Sequence, residues 1–219
     1  MTRRAESPAR SRATLEIQDG IRRLTRGLRL LAREVPAELQ LDVPQAAASR
    51  PGANLKERVQ TFERARPASD DLRAYRECLE GGQAGEGKRI FVERQDVFCL
   101  RCHKINGEGG DAGPDLTRIG AQKSREYILE SITFPNKQIA AGFESVVLTM
   151  KNRNVYAGTL KKETPATLDI ISPEDGPMQV KKADLEKRER GQSGMPEELR
   201  QVLSKRDLRN LVEYLSGLK

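Results

Sequence analysis

A chain of 219 residues has room for one large domain or two small ones; charged residues make up 32% of it against 37% hydrophobic, with no Trp, so part of it is expected to be extended or loosely packed. The formal charge of +7 suits acidic partners, an anionic membrane surface or nucleic acid. The basic residues are spread along the chain rather than gathered in a block, which reads as a solvated Arg/Lys surface and not as a nucleic-acid interface.

Residues 1–68 are rich in Arg, Ala and Glu and carry no chemical motif. Ile17, Ile21, Leu24, Leu28 and Leu31 fall at helical spacing and predict a helix over Thr14–Arg33, ended by Pro36. Pro44–Gly52 reads as a linker, and a second helical stretch is expected from Leu55 to Arg66. The region as a whole is expected to be helical or partly disordered. Ser69 or Asp70 can cap a short helix through Leu79, which Gly81-Gly82 stops. A further helix starts near Gly85–Gly87, buries Phe91 and delivers the chain to Cys99.

Beyond a Gly-rich loop from Asn106 to Gly113, Ser124 opens a helix holding Tyr127, Ile128 and Ile132, closed by Phe134-Pro135-Asn136. The period then changes. Ser145–Met150, Val155–Leu160, Thr167–Ile171 and Met178–Lys181 read as four short strands joined by turns at 151–154 and 173–176. They imply a small antiparallel sheet or partly closed barrel. A helix over Glu197–Leu203 follows Ser193-Gly194-Met195-Pro196. A final one, opened by the capping box Ser204–Asp207, carries Leu208, Leu211, Val212 and Leu215 on one stripe.

The chemistry centres on Cys99-Leu100-Arg101-Cys102-His103, a C-x-x-C-H motif and the attachment signature of a c-type haem. Two thiols at this spacing can each add to one vinyl group of a porphyrin, and the histidine that follows is placed to coordinate the iron. His103 is the only histidine in the chain, so imidazole ligation happens there or nowhere. Three cysteines are too few for a disulfide framework, and Cys78, the one left over, reads as a small buried apolar residue. No stretch approaches the roughly 20 apolar residues of a membrane span. Arg3-Arg4 is followed by no apolar run, so no signal peptide is legible, although covalent haem implies a periplasmic or otherwise exported protein.

A second axial ligand is sought among Met1, Met150, Met178 and Met195. Met1 is terminal, and Met150 and Met178 fall in predicted strands, where methionine is commonly core filler. Met195 stands in a Gly-Met-Pro loop and is the candidate distal ligand, against the plainer reading of a methionine packed on the haem edge. Pro114, about ten residues after His103, can offer its carbonyl to the other ring nitrogen and so orient the ligand. Its plainer reading is an ordinary Gly-Pro turn.

Gly87, Phe91, Cys99–His103, Gly113-Pro114-Asp115-Leu116, Met195-Pro196 and Tyr214, in this order, resemble a class I cytochrome c domain. Cys-x-x-Cys-His-Lys-Ile-Asn-Gly-Glu-Gly-Gly-Asp-Ala-Gly-Pro-Asp-Leu, then Pro135-Asn136, Gly142-Phe143, a strand-rich insert and Ser-Gly-Met-Pro, resemble the haem-binding domain of planctomycete and verrucomicrobial proteins. The resemblance covers about Leu72 to Lys219. It implies a mainly α fold, the class I cytochrome c helical fold with a small antiparallel β insertion at about 143–187, within a domain over 69–219. It implies one covalent haem c per chain, His103 as proximal and Met195 as distal ligand, Pro114 orienting His103, and Gly87 and Phe91 meeting Tyr214 where the first and last helices cross. In that family the domain often follows a propeller-type sugar or alcohol dehydrogenase domain, which makes such an enzyme the candidate redox partner.

The expected function is a monohaem electron-transfer protein and not an enzyme, acting as acceptor or relay for a dehydrogenase, with no transmembrane segment. Two other readings stand beside it: a haem sensor with a labile distal site, and a zinc module built from Cys78, Cys99, Cys102 and His103 that binds nucleic acid. Adjacent Cys102 and His103 suit a tetrahedral structural site poorly.

Overall fold

Residues 36–49, 57, 59–61, 64, 66–172 and 175–219 are described by the structure, a computed structural model. The helix expected over Thr14–Arg33, the disorder expected near it and Met1 lie outside these residues, as do Arg50–Gly52 of the expected linker. The helix expected over Leu55–Arg66 is described at 57, 59–61 and 64, which are helical, and at 66, which is a bend. The described residues form two compact units, one from the chain up to Gly87 with Lys205–Tyr214, the other from Lys88–Ser204 with Leu215–Lys219.

In the first unit, buried Leu41 and Val43 anchor a helix, α1 (Asp42–Ala48). This overturns the linker reading of Pro44–Ala48. Pro44 lies in the first helical turn, where a missing N–H costs no intrahelical bond, and the alanines after it are strong helix formers. The short helix expected from Ser69 to Leu79 is instead a run of turns ending in a 3-10 turn at Arg76–Cys78. Asp70 does not cap a helix. Its carboxylate accepts from Leu72 N–H at 3.1 Å and from Arg76 Nε at 2.7 Å. Cys78 is fully buried, as expected, and burial pushes its thiol up to about 12.

Two further helices give part of their length to this unit: α2 (Ala84–Glu93), and the C-terminal helix, Lys205–Ser216. The C-terminal helix buries Leu208, Leu211 and Val212. Arg209, 6% exposed, donates to Asp42 Oδ2 at 2.6 Å. Glu77, 4% exposed, is held by Arg66 at 2.5 Å and by Lys205 at 2.6 Å. Gly87 lies where a Cβ would collide with the Asn210 carbonyl oxygen and stand 2.7 Å from Tyr214 Cβ. Only a glycine lets the two helix backbones approach this closely.

The second unit opens with Lys88–Glu93 of α2, where Ile90 and Phe91 are buried. After it come α3 (Cys99–Cys102), a two-stranded hairpin β1 (Lys104–Ile105) and β2 (Glu108–Gly109), α4 (Ile119–Gln122) and α5 (Arg125–Thr133). Ser124 caps α5 by accepting from Tyr127 N–H at 3.2 Å, and Ile128, Leu129 and Ile132 form its buried face. The sheet follows as β3 (Ser145–Met150), β4 (Val155–Glu163), β5 (Thr167–Ser172), β6 (Gly176–Lys181) and β7 (Leu185–Arg190). All neighbours are antiparallel, in the order β6-β5-β4-β3-β7. Val146, Leu148, Met150, Leu168, Ile170 and Val180 bury on one face and form its core. The unit ends with α6 (Leu199–Val202), whose Leu199 is buried, and the last residues of the C-terminal helix, called α7 from here on.

The expectation of a mainly α fold does not hold. The chain is mixed α and β, because the middle of the sequence builds a five-stranded sheet with an apolar core of its own. The fifth strand, β7, escapes a reading based on hydrophobic period. Leu185-Glu186-Lys187-Arg188-Glu189-Arg190 buries no residue fully: after Leu185, which packs against the sheet core, every residue is charged and exposed, and the strand is an edge that pairs only β3. Charged side chains on such an edge keep other chains from pairing with it.

Candidate functional site

Cys99 and Cys102 stand one turn apart in α3, so both thiols project from the same side of that turn. Neither is in a disulfide, and both are half-buried. Burial is the main cause that pushes the Cys99 thiol up to about 11. The turn begins at Phe98, in the left-handed region at φ 48° and half exposed, with the Arg101 guanidinium 5.7 Å from its ring centre. It ends at His103, whose extended backbone carries the chain out of the helix.

A web of main-chain bonds folds the following loop back on this turn. His103 N–H donates to the Cys99 carbonyl at 3.0 Å, Gly110 N–H to Leu100 at 3.0 Å and Gly113 N–H to Cys102 at 2.7 Å. Leu116 N–H donates to Lys104 at 2.8 Å. The loop can return so tightly because Asn106-Gly107, both at positive φ, make a two-residue hairpin turn between β1 and β2. The Gly-rich loop read from sequence is thus partly a hairpin. Its sequence signal is Asn-Gly between Lys104-Ile105 and Glu108-Gly109.

His103 and Pro114 are brought together. His103 Nδ1 lies 2.9 Å from the Pro114 carbonyl oxygen. A carbonyl can only accept, so Nδ1 carries the proton and Nε2 keeps its lone pair. Burial pushes the imidazole below its ordinary range, and the bond to Pro114 opposes this without reversing it. The ring is therefore neutral, the form that can bind a metal. Gly113 lies flat against the imidazole. A Cβ there would stand 2.6 Å from His103 Cε1 and 2.8 Å from Nδ1.

Met195 is half-buried in a loop without regular secondary structure, and its N–H donates to Ser193 Oγ at 3.1 Å. Of the other methionines, Met150 is in the sheet core and Met178 packs against it. Among the described residues, no group of three or more His, Cys, Asp or Glu side chains is gathered to hold a metal ion, which gives the zinc reading no support. One residue that the chemistry-led reading passed over is Asn136, whose side chain bonds both Ser193 and Glu197. Pro135-Asn136 was visible as a motif, but its partners are 57 and 61 positions away.

These residues suit a covalently attached haem: two free thiols on one helical turn, a neutral imidazole with one nitrogen fixed and the other available, and a glycine loop laid against the ring. Residues 84–169 match the family model for cytochrome c, and the chain carries a cytochrome c-like haem-binding domain there. The match spans less than half of the chain and ends before Met195. No curated protein matches the chain. The family implies covalently bound haem c and electron transfer with a redox partner. Among the described residues, no helix is long and apolar enough to cross a membrane.

Proposed function

We propose that the protein is a monohaem c-type cytochrome that passes single electrons, with residues 69–219 as the haem domain and the strand-rich segment inserted between the His103 loop and the Met195 loop. Cys99 and Cys102 form the thioether links, His103 is the proximal ligand and Met195 the distal one. Pro114 orients His103. The observation that carries this reading is the 2.9 Å contact between His103 Nδ1 and the Pro114 carbonyl. A ligating histidine needs its other nitrogen tied down, and few other uses of a chain's single histidine call for that arrangement next to two free thiols. Supporting the choice of Met195, the other described methionines are engaged by the sheet, Met150 in its core and Met178 packed against it.

When bound, the haem supplies the iron that carries the electron, and the protein's work is to hold the ligand field still. His103 stays neutral and fixed in orientation, and the surrounding loop is braced by main-chain bonds. No general acid, base or nucleophile is needed. The proposed site of action is the periplasm or another exported compartment, and the proposed partner is a dehydrogenase of the propeller type, which the resemblance suggests.

The test is expression with haem-maturation machinery and an export signal, followed by a pyridine haemochrome assay and a redox-titrated visible spectrum. One covalent haem per chain is expected, with a weak sulfur-to-iron band in the far red of the oxidised form and no CO binding by the reduced form. Stoichiometric zinc without covalent haem would overturn the reading. A Met195→Ala variant with unchanged spectrum and potential would overturn the distal assignment alone.

A further inference from the structure

We propose that Asn136 is the positioning residue for the Met195 loop, holding both ends of that loop with one planar amide and so setting how firmly the methionine is presented to the haem. The inference rests on the reading of Met195 as distal ligand.

The loop from Ser193 to Glu197 has no helix or strand to fix it. At its start, Ser193 N–H donates to Asn136 Oδ1 at 2.6 Å. At its end, Asn136 Nδ2 donates to Glu197 Oε1 at 2.7 Å. Between them, Met195 N–H donates to Ser193 Oγ at 3.1 Å, so the methionine's backbone is tied to the residue that Asn136 holds. The two partners also fix the orientation of the amide. A backbone N–H must meet an acceptor and a carboxylate must meet a donor, so no flipped Asn satisfies both.

Asn136 is itself anchored. It follows α5, whose Leu129 and Thr133 are fully buried, and Pro135 beside it is buried too. A second link runs parallel: the Arg200 guanidinium sits 5.5 Å from the Phe134 ring centre and 3.7 Å from Glu197. The turn that leaves a well-packed helix therefore grips the loop. This matters because a methionine side chain is flexible, with three rotatable bonds, and does not hold a fixed position by itself. A thioether ligand raises the reduction potential of its haem, so loosening the loop is expected to lower it.

The requirement is for an asparagine. Asp at this position would still accept from Ser193 N–H but would set two carboxylates against each other. Exchanging donor and acceptor, with Asp at 136 and Gln at 197, restores both bonds at unchanged net charge.

The experiment uses the full chain loaded with haem and compares wild type, N136A, N136D, the N136D/E197Q exchange and M195A. Folding is followed by far-ultraviolet circular dichroism. The wild type is expected to show the far-red sulfur-to-iron band and to exclude CO. N136A and N136D should weaken or lose the band, lower the midpoint potential and admit CO, while covalent haem content stays the same. N136D/E197Q should recover band, potential and CO exclusion. Asn136 variants with unchanged band, potential and CO exclusion overturn the proposal, as does an exchange variant no better than N136D. A wild type without the band, unaltered by M195A, overturns the Met195 reading and the proposal with it.

Discussion

Between Cys99 and Leu116 the chain is tied together by main-chain hydrogen bonds, whereas between Ser145 and Arg190 it is organised around interleaved apolar side chains. The first region holds one buried hydrophobic residue, Ile105, against six in the sheet core. Its shape depends on glycines and on residues at positive φ: Phe98, Asn106, Gly107 and Gly109. The sheet depends on the alternation of Val146, Leu148 and Met150 in β3 and of Leu168 and Ile170 in β5. A loop built from backbone has little tolerance for added atoms, since carbonyls cannot move aside. A sheet built from side chains has little tolerance for removed ones, since each buried methyl group contributes to the core.

The largest effect is expected where atoms are removed from the sheet. Leu168 is fully buried at the centre of its core. Leu168→Ala should destabilise the protein by about 2–5 kcal/mol, the usual range for a buried Leu truncation. Urea unfolding followed by circular dichroism measures this. The far-red band and haem potential of the folded fraction should stay as in the wild type, and a shifted potential would show that sheet and haem loop are not separable.

The opposite perturbation adds one methyl group to the loop. Gly113→Ala places a carbon 2.6 Å from His103 Cε1, so the ring or the loop must move. Overpacking of this kind costs about 1–3 kcal/mol. Here the potential and visible spectrum should change as well, because the ring is held between Gly113 and the Pro114 carbonyl. Wild-type spectrum and stability in Gly113→Ala would show that the loop yields freely, and the contrast with the sheet would fail.

Much of this contrast is readable from sequence, and the parts that are not have physical reasons. The His103–Pro114 link is local, eleven positions apart, and follows from what a ligating imidazole needs. The strands β3 to β6 show in their alternation. β7 does not, because after Leu185 it is charged throughout, Glu186-Lys187-Arg188-Glu189-Arg190, and leaves no apolar alternation. α1 reads as a linker when Pro44 and three alanines are taken for loop composition. What decides it is the burial of Leu41 and Val43, a tertiary fact. Asp70 has the composition of a cap, yet it is engaged by Arg76 and the chain turns instead. The grip of Asn136 on the Met195 loop is the least legible, since composition carries no signal for pairing across such a separation.

A smaller test concerns α5, the helix that leads into Asn136. Ser124→Ala removes the hydroxyl that accepts from Tyr127 N–H and should cost about 1 kcal/mol, read as a lowered urea midpoint. Gly at the same position should recover most of it, since a cap's main-chain role survives that change. If α5 is the rigid base of the Met195 loop, this loss of stability should leave the haem potential of the folded protein unchanged.

The smallest effect lies on the sheet surface, where charge rather than packing is at stake. Glu163 on β4 accepts from Lys182 Nζ at 2.6 Å and from Arg188 Nη1 at 2.9 Å, and these two partners hold its carboxyl below the usual range. The sign follows from linkage. A carboxyl whose pKa is lower folded than unfolded contributes stability above its unfolded pKa of about 4.5, and that contribution is lost as the pH falls through the folded value. Glu163→Gln should therefore narrow the stability difference between neutral and acid pH, with the two proteins converging under acid conditions. The group lies on the exposed surface, so the difference should be slight and should shrink further at high salt, where surface pairs are screened. A Glu163→Gln protein whose acid unfolding profile overlays the wild type at low salt would mean that the Glu163 ion pairs add nothing to the sheet's stability.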